Sequence, residues 1–307
     1  MQVKAQHFLL ILILAIVWGT SFTAVKVAVD DFTPVQIAFI RVLIGAILVM
    51  AVAIFSKINL PKKLVNWSLL LLIALFSNVI PFSLIGWAST RSDSSTVSIL
   101  MSTSPIFALV VAHFFTSDDR FTPFKLLSVL LGFTGVVVLS LPSGDSLSSG
   151  ELLPKIATLL AALSYVIAGM LPRKLSENLG VPSITCTVLC LSSIILAPIA
   201  IGQNFSTIAS YSNESIIAVL YLGAFSTALA LLIRYSLILQ VGYTFVSYTG
   251  FLVPVFAVIF GALLLHEELG NNAYIALLLV LAALAVSRLS TAKLADLIAS
   301  KRGSKTQ

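Results

Sequence analysis

The sequence predicts an all-α integral membrane protein with ten transmembrane helices arranged as two inverted five-helix repeats. Three observations carry that prediction. Of the 307 residues, 59% are hydrophobic and 10% charged, whereas soluble domains carry about 25% charged residues. The apolar residues fall into ten runs divided by turn chemistry. The chain also matches itself when shifted by 149 residues, the separation of Pro105 and Pro254. A chain this apolar cannot hide its side chains inside a water-soluble globule, but a bilayer solvates them.

A helix needs about 20 mostly apolar residues to cross about 30 Å of hydrocarbon. In order, the runs are 8–28, 34–55, 67–88, 94–115, 124–141, 153–171, 183–201, 216–238, 244–265 and 272–289. The breaks carry Asp30, Asp31 and Pro34, then Asn59 and Pro61, Pro142 to Gly144, Gly180 with Pro182, and Gly270 to Asn272. These are residues that turn or stop helices. Lys4 and His7 before the first run resemble the start of a signal peptide. The run is too long for one and lacks a clean small-residue cleavage site, so it reads as an uncleaved span.

Charge sets the orientation. Cytoplasmic loops of membrane proteins are rich in Lys and Arg. With the N-terminus inside, the inner loops hold Lys57, Lys62, Lys63, Arg120, Lys125, Arg173 and Lys174, and the inner tail (291–307) holds Lys293, Lys301, Arg302 and Lys305. Arg288, at the end of the tenth run, joins that side. The outer side keeps only Lys26, Arg91 and Lys155, each close to a span end. Eight or nine spans would scramble this asymmetry, so both termini are expected in the cytoplasm. The net charge of +6 fits such loops better than a nucleic-acid surface, because no Lys/Arg run interleaved with aromatics exists. Cys186 and Cys190 lie one turn apart without His or acid beside them, and read as small packing residues.

Shifted by 149 residues, Ser98, Pro105, Phe107 and Ala108 fall on Ser247, Pro254, Phe256 and Ala257. The match continues without a gap, and Asp118-Asp119 falls on Glu267-Glu268. Two repeats, 8–141 and 153–290, follow. An odd number of spans in each turns the second upside down relative to the first. Such inverted repeats are typical of secondary transporters, which bind substrate near the midplane where the halves meet.

Trp18-Gly19-Thr20-Ser21-Phe22, Arg41, Ser104 to Phe107, Asp118 to Thr122, Val253 to Phe256 and Leu265 to Leu269 together resemble the ten-helix EamA-type branch of the drug/metabolite transporter superfamily. The resemblance covers about residues 8–290 and rests on order and spacing, not on one motif. It implies an inner-membrane transporter, often an exporter of amino acids or other metabolites. Two departures stand out. Asp118 occupies a place where the family usually has Gly-Glu, and His266 replaces the Gly of the second such pair.

Pro105 and Pro254 fall mid-span, where each lacks an N–H and displaces a carbonyl, that of Met101 or Gly250. A freed carbonyl in hydrocarbon needs another partner, so these kinked spans either line the pathway or pack as kinks. Pro81, beside Asn78, has the same two readings. Arg41 sits about 10 Å into its span; the alternatives are snorkelling to the outer surface and facing the bundle interior, and the second is expected. Arg234 stands close enough to its span's end to snorkel to the surface. Ser95, Ser98 and Ser102 form a polar stripe, and Thr20, Ser21 and Thr23 another beside Trp18. Serine and threonine in spans bond back to their own helix or contact substrate. Tyr165, Tyr235 and Tyr248, with Trp18 and Trp87, are candidate aromatic walls. Asp118 and Glu267 are candidate gating groups at span ends.

No Asp or Glu lies inside the ten runs. Coupling to H⁺ or Na⁺ through an intramembrane carboxylate is therefore not expected; facilitated diffusion, exchange or coupling through span-end groups is. The chain has no P-loop. An embedded enzyme is disfavoured: His266-Glu267-Glu268 lacks the second His of a zinc helix, and only His7 and His113 remain. No filter loop suggests a channel, and short loops leave little surface for a receptor or scaffold. No catalytic residue, metal or cofactor is expected. The expected partners are a small-molecule substrate, the lipid bilayer and, as the open assembly state, a second copy in a homodimer.

Overall fold

Backbone groups in hydrocarbon must pair within the segment that carries them, which helices do. The computed structural model describes residues 5–55, 59–104, 106–108, 111, 123–140, 152–176, 179–203, 205, 210–241, 246, 249–267, 270–283 and 285–286, and among these there is no strand. The helices are α1 (Ala5–Ala28), α2 (Pro34–Phe55), α3 (Leu64–Ser89), α4 (Ser94–Met101) and α5 (Pro123–Ser140). They continue with α6 (Leu152–Met170), α7 (Val181–Ile201), α8 (Asn213–Gln240), α9 (Thr249–Leu265) and α10 (Asn271–Ala283). Six of them, α1, α2, α3, α6, α7 and α8, are long and apolar enough to cross a membrane, and α9 and α10 contribute shorter apolar stretches. The outer face is apolar too: Leu43, Ile47, Met50 and Ile54 recur at helical spacing on α2, all exposed. Water would not tolerate such a stripe; lipid does.

The run 94–115 is not one continuous helix. α4 stops at Met101, and Ser102 and Thr103 form a turn before helix resumes at Ser104 and 106–108. The hydroxyls of Ser102, Thr103 and Ser104 donate to the carbonyls of Ile99, Leu100 and Met101 at 2.6, 2.7 and 2.6 Å. The Ile99 and Leu100 carbonyls also accept the N–H groups of Ser102 and Thr103 at 3.2 and 3.1 Å, so these hydroxyls reinforce the turn and the Ser104 hydroxyl serves the Met101 carbonyl. That carbonyl is the one expected to be freed by Pro105. Pro105, Asp118 and Tyr248 lie outside the described residues.

Both α3 and α8 contain a π stretch, Leu75–Val79 and Leu222–Leu229. A π turn inserts a residue and re-aims the side chains beside it. In α3 the stretch ends just before Pro81, whose ring forbids the normal bond. The 149-residue shift carries 75–79 onto 224–228, inside the second stretch. It also carries α3, 64–89, onto 213–238, against 213–240 for α8. The packing pairs follow the same exchange: α1 with α9 as α6 with α4, and α3 with α6 as α8 with α1, while α2 and α7 pack on each other.

Small residues set these crossings, as they do where lipid removes the hydrophobic drive between helices. A Cβ on Gly223 of α8 would stand 2.6 Å from Ile44 Cβ of α2, and one on Gly45 would stand 3.0 Å from Thr227 Cγ2.

His266, just past α9, has a φ of 53°. That is the left-handed region, where an L-residue pays about 1–2 kcal/mol and glycine nothing. The glycine usual at this position in the resembling family has its physical reason here. Glycine also loses about 0.5–1 kcal/mol more chain entropy on folding. His266→Gly should therefore raise stability by up to about 1 kcal/mol, read as a higher Tm of the detergent-solubilised protein. A lower Tm would show that the His266 side chain contributes more than its backbone costs.

Candidate functional site

A cavity of about 160 Å³ opens between the two halves, walled by α1, α2, α3, α4, α6, α8 and α9. At about 10–15 Å³ per water it has room for on the order of ten waters or one small metabolite. Its polar lining includes Ser21, Arg41, Ser77, Ser102, Ser104, Tyr165, Ser226, Arg234 and Thr249, and among the described residues no Asp or Glu.

Arg41 enters from α2 and is 5% exposed. Its Nε donates to Thr227 Oγ1 at 3.1 Å and its Nη2 to Ser226 Oγ at 3.0 Å. Both hydroxyls stand in the π stretch of α8. The Phe82 ring lies 3.7 Å below the guanidinium, a cation–π contact made stronger by exclusion of water. On the other side α7 addresses the π stretch of α3: Asn78 Nδ2 donates to Ser192 Oγ at 2.9 Å. Shifted by 149, Ser77-Asn78 falls on Ser226-Thr227, so each half presents a polar pair at the same place.

Arg234 was expected at the surface and is instead 5% exposed and on the cavity wall. α8 runs on to Gln240, which leaves Arg234 about 9 Å from the helix end. Its guanidinium lies 6.0 Å from the Trp18 ring and 5.8 Å from the Tyr165 ring. Tyr165 in turn meets Phe82 edge-on at 6.5 Å. The two cations and three rings thus form one connected wall.

Of the residues expected on the pathway, Trp18, Ser21, Arg41, Ser102 and Tyr165 line the cavity. Thr20 does not: its hydroxyl donates to Ile16 O at 2.8 Å and is bonded to the Tyr221 hydroxyl. Ser98 is buried and bonds back to Ser95 O at 2.8 Å. Asn78, Pro81 and Pro254 are buried next to lining residues Ser77, Phe82 and Val253. Sequence reasoning missed Ser77, Phe82, Ser226, Thr227 and Arg234.

Glu267 sits at a helix junction. Ser94 N–H and Ser95 N–H donate to its two carboxylate oxygens at 2.8 and 3.2 Å, and the Ser95 hydroxyl donates at 2.5 Å. The carboxylate thereby caps the start of α4 from the end of α9, where the helix dipole favours negative charge. Gly261 makes room for it, since a Cβ there would stand 2.6 Å from Glu267 Oε2. Nearby in kind, Asp31 links the α1–α2 turn to the start of α8. The hydroxyl and N–H of Ser212 donate to it and hold its carboxyl below the usual carboxylate range.

Among the described residues no group of three or more His, Cys, Asp or Glu could hold a metal. The chain is similar to proteins of known sequence over most of its length. It is 22% identical over 270 residues to the uncharacterized transporter YoaV of Bacillus subtilis, covering 88% of this chain and 92% of that one. It is 26% identical to an uncharacterized transporter of Archaeoglobus fulgidus, covering 86% and 91%. To the uncharacterized inner membrane transporter YedA of Escherichia coli it is 24% identical, covering 86% and 84%. A crystal structure shares the fold with a TM-score of 0.68 at 14% identity, covering 95% of this chain and 99% of that one. The model of one family matches twice, at residues 7–141 and 153–289, and on that ground the chain belongs to the EamA-like transporter family.

Proposed function

We propose that this transporter is a secondary exporter of amino acids or related small metabolites, working by alternating access between two inverted repeats. The observation that carries the reading is the cavity between the halves, lined by Arg41 and Arg234 and, among the described residues, by no carboxylate. A buried charge without a counterion is costly. The cost is offset when an anionic or zwitterionic solute occupies the cavity. Support for the repeat comes from the 149-residue correspondence of α3 with α8, the matching π stretches and the exchanged packing pairs. Exchange of conformation between two such halves would turn an inward-facing cavity outward. Gating falls to span-end contacts such as Glu267 on α4, which join one half to the other. YedA is called an inner membrane transporter, and the same membrane, with both termini cytoplasmic, fits the Lys/Arg asymmetry. With no acid inside the apolar runs, exchange or facilitated diffusion is the expected mode.

The test is counterflow in proteoliposomes preloaded with unlabelled amino acids, organic acids or nucleobases. Labelled solute of one acidic or zwitterionic class should accumulate above its level in empty liposomes. A folded protein that accumulates none of them, or only nucleobases, would overturn the reading.

A further inference from the structure

Arg41 and Arg234 share the cavity but differ in what they have left to offer. Arg41 has two N–H groups committed to Ser226 and Thr227 and one face on Phe82. Arg234 is as deeply buried, yet among the described residues its guanidinium meets no hydrogen-bond acceptor. The rings of Trp18 and Tyr165 lie 6.0 and 5.8 Å from it. Ring faces stabilise the positive charge without using the in-plane N–H donors. Among the described residues these in-plane donors have no acceptor, and at the cavity wall they are open to one supplied by water or a solute. The acceptor that fits a guanidinium fork best is a carboxylate, through two parallel bonds.

Elsewhere the cavity lining mixes apolar side chains, Phe22, Val25, Ile85, Met101, Leu231 and Val253, with uncharged hydroxyls. An α-ammonium group would find no carboxylate among the described lining residues and would be repelled by both guanidiniums. A second carboxylate would leave water for apolar side chains, uncharged hydroxyls or an Arg41 already bonded, none of which supplies a free cation among the described lining residues.

We infer that the cavity recognises a monoanionic carboxylate with an apolar ring or branched body and no ammonium group, anchored by Arg234, while Arg41 positions the π stretch of α8. This rests on the transporter reading and moves its substrate from amino acids to related carboxylates without an ammonium group. Simple zwitterionic amino acids are then the poorer ligands.

The test uses the full chain in nanodiscs and labelled phenylacetate as the probe, with binding read by scintillation proximity. Phenylacetate should bind saturably. Phenylalanine and succinate should compete at least about 10-fold more weakly, and phenylacetamide, which lacks the charge, should not compete. Arg234→Gln should weaken binding by about 30-fold or more, as loss of one member of a buried charge pair does. Arg234→Lys should recover part of it, since a single ammonium keeps the charge without the fork. Melting temperature and gel-filtration profile identify variants that fold. Should Arg234→Gln not fold, the competition series on the wild type decides alone. Equal or tighter binding of phenylalanine overturns the inference, as does unchanged affinity in a folded Arg234→Gln protein, or no phenylacetate binding at all. Counterflow separates the two readings. Amino-acid counterflow without phenylacetate binding overturns this inference and leaves the transporter; phenylacetate binding without movement of any solute overturns the transporter and leaves the anion site.

Discussion

Gly19→Leu should leave little or no folded protein, and Gly19→Ala should cost about 1–3 kcal/mol. The reason is where a Cβ at this position would go. It would stand 2.6 Å from Phe256 Cβ, 3.0 Å from Val253 O and 3.1 Å from Ala257 N. Two of those three atoms belong to the backbone of α9 and cannot turn aside. α1 and α9 make one of the two most extensive helix contacts in the described structure, and they join the two halves. A separation there is not local, because Trp18 and Ser21 of α1 and Val253 of α9 all line the cavity. In lipid the contact rests on close packing and not on escape from water, so lost fit is not recovered by burial elsewhere. Yield of monodisperse protein and Tm in detergent measure the effect. A Gly19→Leu protein with wild-type Tm would show that α1 and α9 can part without cost.

How much of this was legible in the chain depends on the kind of signal. α2 begins at Pro34 and ends at Phe55 as read, because proline suits a first helical position and the flanking residues are polar. The bounds of α3, α6, α7 and α8 were equally accessible, since hydropathy against turn residues marks them. Which face of a helix looks inward was not. In water an apolar face turns in; in lipid both faces are apolar, and Ile47 outside and Val49 inside carry the same signature. Arg234 was misplaced for that reason: distance to the span end was the only guide to it. For Arg41, about 10 Å deep, the interior was preferred to snorkelling outward, and the side chain is 5% exposed. The break after Met101 escaped notice because Ser102, Thr103 and Ser104 read equally well as hydroxyls bonding within an unbroken helix. The π stretches are set by tertiary packing as well as by Pro81, and α8 has no proline to announce its own.

Arg41→Gln should lower counterflow by about 10- to 100-fold while leaving Tm unchanged or slightly higher, and the two readouts moving apart is the point. A structural arginine would lose stability along with activity. Here the guanidinium is buried with no carboxylate among its hydrogen-bond partners, only the hydroxyls of Ser226 and Thr227 and the face of Phe82. Such an uncompensated charge costs the fold several kcal/mol that neutral contacts only partly offset. Glutamine removes that cost, and the two hydroxyls can bond back to carbonyls of their own helix. What is lost is the positive potential of the cavity and the hold of α2 on the π stretch of α8. Arg41→Lys separates those two losses. Lysine restores the charge but cannot donate to both hydroxyls from one planar group, so its rate should fall between wild type and Arg41→Gln. A Lys variant equal to wild type would make charge the whole role, and one equal to Gln would make positioning the whole role. Counterflow in Arg41→Gln at the wild-type rate would remove Arg41 from the mechanism altogether. A residue that works against the stability of its own fold, in a cavity between two halves, is expected where binding of a solute supplies the missing charge.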